Sequence, residues 1–74
     1  MKITLANGVV LDPNADGAQT LTNWAKYKKL KVQAFATSLN TYLLVENGQP
    51  IFENAYLEDC TVHLDIMALD RDLV

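Results

Sequence analysis

Seventy-four residues, half of them apolar, with a net charge of −3, describe one small acidic domain, 1–74. At that length nearly every apolar side chain is needed for a single core, which leaves little room for an enclosed pocket of the ~300 Å³ or more that small molecules occupy, so a non-enzymatic protein is expected. The acidic balance disfavours nucleic-acid partners, the lone Cys60 leaves no internal disulfide, and no apolar run is long enough to span a bilayer or target the chain, which points to a cytoplasmic protein away from membranes.

Lys2 to Asp12 reads as a hairpin around Asn7-Gly8. With Ala6-Asn7-Gly8 as a three-residue loop, Leu5 faces Val9 and Ile3 faces Leu11, so four apolar side chains share one side; a two-residue loop would scatter them. Asp12-Pro13-Asn14-Ala15-Asp16-Gly17 is rich in structure breakers and precedes a helix. Asp16 and Gln19 have capping-box spacing, Thr20 is a competing cap, and Leu21, Trp24 and Ala25 mark the inward face. Val32, Phe35, Ala36 and Leu39 continue the helical phase, but the favoured reading ends the helix near Lys31, followed by a short helical turn or a loop to Asn40. Thr41 to Val45 is a strand, Asn47-Gly48 supplies a turn, and Pro50 opens a short strand at Ile51-Phe52.

Cys60 to Leu69 carries the clearest alternation: Cys60, Val62, Leu64, Ile66 and Ala68 against Thr61, His63 and Asp65. It predicts a strand near the middle of the sheet, buried on its Val62/Leu64/Ile66 side, with Cys60 as a small core residue. Residues 70–74 then form a loose tail. The resulting expectation is an α+β fold: a small mixed β-sheet with one main helix packed on one face, in the order β-β-α-β-β.

That order resembles the ubiquitin-like β-grasp fold. Leu43-Leu44-Val45-Glu46-Asn47-Gly48-Gln49-Pro50-Ile51, followed by Tyr56-Leu57-Glu58-Asp59-Cys60-Thr61-Val62-His63-Leu64-Asp65-Ile66, is similar to the second half of the small sulfur-carrier proteins of thiamin and molybdopterin synthesis. The resemblance implies a β-grasp-like fold and, as an alternative function, a carrier-like partner of a larger enzyme. Those carriers end in a flexible Gly-Gly whose carboxylate is activated; here the sequence reads Arg71-Asp72-Leu73-Val74, and the family's Asp-Gly step is Asp59-Cys60, so carrier chemistry does not transfer.

Three constellations could carry chemistry. Asp12, Asn14 and Asp16 match the first half of a calcium loop, but its twelfth position is Asn23, whose amide cannot act as the bidentate carboxylate; a turn with a helix cap is the simpler account. His63 and Asp65 would share a strand face with no nucleophile at a convincing spacing, so a solvated face is expected. Lys26, Lys28, Lys29 and Lys31, with Trp24 and Tyr27, suggest phosphate contacts, but their helical angles are dispersed and lysines near a helix C-terminus complement its dipole without any ligand. What remains is protein recognition, with Tyr27, Lys28 and Lys31 as the binding patch and no cofactor. The lysines stand opposite an acidic stretch from Glu46 to Asp72, so the expectation is an interaction or assembly module with a protein partner, and a homo-oligomer is compatible with that asymmetry.

Overall fold

The hairpin around Asn7-Gly8 forms in the predicted register in the computed structural model, which describes residues 1–72. Strand β1 (Ile3–Thr4) pairs antiparallel with β2 (Val10–Asp12), with Ile3 opposite Leu11 and the Leu5 N–H donating to the Val9 carbonyl at 2.8 Å. Gly8 takes φ +90°, the left-handed position that the three-residue loop requires. Helix α1 (Asp16–Tyr27) follows, then β3 (Val32–Thr37), β4 (Tyr42–Glu46), β5 (Gln49–Asn54) and a second helix, α2 (Leu57–Asp70). The five strands lie in the order β1-β2-β3-β4-β5, each antiparallel to its neighbour.

The architecture is α+β, as expected, but it departs from the predicted scheme in three places. Among the described residues the sheet is antiparallel throughout, not mixed; two helices pack on it, not one; and Cys60 to Leu69, the expected central strand, lies in α2. The strand that a β-grasp order requires there is therefore a helix. The run is apolar at both periods: Cys60, Leu64 and Ala68 recur every fourth residue, and Leu57, Leu64, Met67 and Leu69 are good helix formers. Glu58 and Asp59 in its first turn complement the helix dipole.

The strand position is taken instead by Val32–Thr37, the segment read as helical turn or loop. Helix α1 stops at Tyr27 because the next three residues close it. The Lys29 N–H donates to the Lys26 carbonyl and the Leu30 N–H to the Ala25 carbonyl, both at 2.9 Å, with Lys29 left-handed at φ +63°. This is the Schellman arrangement, completed by burial of Leu30 with Ala25. A lysine tolerates this position at a cost of ~1–2 kcal/mol relative to a right-handed residue, which is why the sequence carries no glycine signal for the helix end. At the other end the cap is Ala15 with no side-chain cap bond; neither Asp16 nor Thr20 caps, and the Thr20 hydroxyl donates back to the Asp16 carbonyl.

Both helices cover one face of the sheet. Ala18, Leu21 and Ala25 of α1 and Cys60, Leu64 and Ala68 of α2 close on Val32, Ala34 and Leu44, forming the core, in which no polar side chain is buried among the described residues. Fully burying a leucine there contributes ~1.5–3 kcal/mol. Strand β2 reaches only the end of β3, so the Ala34 N–H donates to the Thr22 hydroxyl of α1 at 2.9 Å, fastening helix to sheet. The β4–β5 hairpin turns at Asn47-Gly48, both with positive φ, and Pro50 sits on the edge strand beside a register irregularity at Leu44/Val45, where a missing N–H is tolerated.

Asp70 closes α2, and Arg71 of the predicted tail forks onto the Glu46 carboxylate, its Nη2 3.0 Å from Oε1; Leu73 and Val74 lie outside the described residues. The Arg71 hydrogen bonds hold the Glu46 carboxyl below the usual carboxylate range, against the opposing pull of burial.

Two predictions follow from these contacts. Gly17 packs its Cα against the Tyr42 phenol, and an added Cβ would overlap that ring. Gly17→Ala should therefore destabilise by about 1–3 kcal/mol in chemical denaturation, although alanine is the better helix former by ~1 kcal/mol, and Tyr42→Phe in the same background should recover part of the loss. Because the Glu46 pKa is depressed in the folded state, its contribution is present above the unfolded value and is lost as pH falls through the folded one. Arg71→Ala should lower the melting temperature at neutral pH, and the gap from wild type should close under acid conditions.

Candidate functional site

Only Trp24 carries an indole in this chain, and it sits where the helices meet. Its Nε1–H donates to the Asp65 carboxylate of α2 at 2.8 Å, across forty-one residues of chain. Lys28, one residue past α1, brings its Nζ to 3.5 Å from the same carboxylate and 5.4 Å from the Trp24 ring centroid. The ammonium stands over the indole face while it reaches the acid, which is how Lys28 keeps its charge satisfied beside Leu21, Trp24 and Ala25. The Tyr27 ring lies 6.1 Å from that of Trp24 and is largely exposed.

On α2, Asp65 stands three residues after Val62 and four before Leu69, the spacing of neighbours on one helix face. Val62, Ile66 and Leu69 point away from the sheet; they are 48, 52 and 72% exposed. Trp24, through its bond to Asp65, and Tyr27 beside it thus stand on one side of a row of three aliphatic side chains that is open among the described residues. The helix is apolar on two opposite sides: Cys60, Leu64 and Ala68 seat it on the core, and Val62, Ile66 and Leu69 face solvent.

The expected binding residues separate. Tyr27 and Lys28 lie together beside Trp24, whereas Lys31 lines an open cleft with Lys26, Gln33 and the Asn47-Gly48 turn. Val62, Leu64 and Ile66, expected to be buried together, divide, with only Leu64 inside. The exposed row was therefore missed; its signal was the i, i+4, i+7 spacing of Val62, Ile66 and Leu69.

The other constellations are not assembled as chemistry needs. His63 and Asp65 leave α2 in different directions: the imidazole stacks on Phe52 of β5 with centroids 4.1 Å apart, while the carboxylate serves Trp24 and Lys28. In the calcium-like loop, the Asp12 carboxylate accepts the Asn14 N–H at 2.9 Å, an Asx turn, and Asp16 begins α1. Among the described residues no three His, Cys, Asp or Glu side chains converge to hold a metal ion. Cys60 is fully buried, and burial, with Asp59 adding to it, pushes its thiol up, which favours the unreactive protonated form. No helix among the described residues is long and apolar enough to cross a membrane.

The chain matches no protein-family model, no curated protein and no solved structure.

The Trp24–Asp65–Lys28 cluster is partly exposed, so each contact contributes little alone, but together they set the angle between the helices. Asp65→Ala should cost no more than about 1 kcal/mol, since it removes a charged acceptor from groups that water can reach. It should also shift the fluorescence maximum of the single tryptophan, read directly against wild type.

Proposed function

We infer that the protein is a small non-enzymatic interaction module that docks onto a protein partner through the outward surface of its helical layer. The observation that carries this is the row Val62, Ile66 and Leu69, bordered by Trp24 and Tyr27. Contiguous exposed apolar groups of this kind mark interaction sites, because leaving them in water forfeits hydrophobic stabilisation that a small domain can ill spare. Aromatic anchors at the border suit such a role, since tyrosine and tryptophan supply large contact area with few rotamers to order. Lys28, held by Asp65, is a fixed positive charge at the rim, while Lys31 belongs to a different surface.

The test is capture of a partner from the native lysate by the tagged full chain, followed by variants. Ile66→Asp and Tyr27→Ala should each reduce recovery at least severalfold without changing the circular dichroism spectrum, and Lys31→Ala should leave it intact. A partner retained equally by Ile66→Asp would exclude this surface, and recovery of nothing above background would count against the module itself.

A further inference from the structure

The outward row of α2 has a register that specifies its partner. Val62, Ile66 and Leu69 are spaced four and then three apart, which are the d, a and d positions of a heptad, with Leu64 opposite them at the centre of the buried side. In that register the positions flanking the seam are Glu58 and Asp65 on one side and His63 and Asp70 on the other. No lysine or arginine stands among them, and the last turn of α2 carries no basic residue. Asp65 is paired with Lys28, and Asp70 lies in the field of Arg71, whose guanidinium is bound to Glu46; among the described residues neither Glu58 nor Asp70 is in an ion pair.

Flanking charges of a heptad seam choose the partner, because they face the flanking positions of the opposing helix. A second copy of α2 is a poor fit in either direction. Laid parallel, Asp65 would meet Asp70 of the other copy; laid antiparallel, Asp65 would meet Asp65 and Glu58, and the net charge of −3 adds repulsion between whole molecules. Lys28, the lysine beside the row, is already engaged by Asp65 of its own chain and Arg71 by Glu46, so the cations that a second copy carries beside its row are committed elsewhere.

We propose that the outward face of α2 binds an amphipathic helix whose apolar seam is bordered by lysine or arginine. Packing of the two seams buries Val62, Ile66 and Leu69, and the partner's cations approach Glu58 and Asp70, so that the acids that forbid self-pairing select the basic ligand. The inference rests on the reading of the helical layer as a docking surface and adds the chemistry of what docks.

The experiment uses the full chain and two labelled synthetic helical peptides with the same leucine and isoleucine seam, one with lysine and one with glutamate at every flanking position. The lysine peptide should bind at least about tenfold more tightly than the glutamate peptide, with affinity falling as salt rises. Ile66→Lys, at an exposed position, should abolish binding while the thermal melt stays that of wild type. Glu58→Lys with Asp70→Lys should reverse the preference between the peptides. Equal, strong binding of both peptides that Ile66→Lys abolishes would overturn the charge selection and leave the docking surface standing. Binding of neither peptide, or binding indifferent to Ile66→Lys, would overturn both. Sedimentation of the chain alone gives a further arm: a dimer lost in Ile66→Lys would make the occupant a second copy and overturn the proposal, whereas a monomer supports it.

Discussion

Short side chains at the meeting point of helices and sheet set the rest of this structure. Ala18, Ala25, Ala34 and Ala68 are fully buried beside Cys60, so the layers approach over small groups, and Leu21, Leu44 and Leu64 are the largest fully buried side chains among the described residues. In a domain whose total stability is on the order of 4–11 kcal/mol, a core this thin has no slack in either direction. Close approach also dictates how α2 sits. It must turn its alanine and cysteine side to the sheet, and its bulkier Val62, Ile66 and Leu69 are left outside.

The proposed docking surface is therefore a consequence of packing, not an addition to it. A helix that is apolar on two opposite sides has two places to bury surface, and a small domain can satisfy only one of them internally. Trp24, Asp65 and Lys28 fix which side is which, because the indole and the ammonium both reach one carboxylate and so limit rotation of α2 against α1. At the far end the Arg71 fork on Glu46 ties the end of α2 to strand β4. In the proposed reading, the acidic residues along the exposed side disfavour pairing of two copies and suit the apolar row to a basic partner.

Legibility in the sequence followed the range of the interaction that decides each element. The Ala6-Asn7-Gly8 loop and its register and the Asn47-Gly48 turn with β4 and β5 were readable, since each depends on the backbone preferences of a few adjacent residues; the region where α1 begins was readable too, but its cap is Ala15 and not Asp16 or Thr20. The end of α1 was not, because a lysine occupies the left-handed site that a glycine would have announced. Without that stop, the favoured helix ran on to about Lys31 and Val32 to Thr37 read as a helical turn or a loop. Tyr27 was legible as an exposed aromatic, but the aliphatic row on α2 was hidden by its own alternation.

By itself, the sequence determined the class of domain, the two glycine turns, the hairpin pairing and the apolar character of the last segment. Only the tertiary structure decided whether that segment would be strand or helix. Cys60 to Leu69 satisfies both periods, and its local preferences do not separate them; the outcome hangs on which of two apolar stretches completes the sheet. Val32 to Thr37 lies between partners on both sides, pairing with β2 and β4, and so it fills the sheet position. The final segment then covers the sheet as a helix, and that choice turns Val62 and Ile66 from expected core into surface.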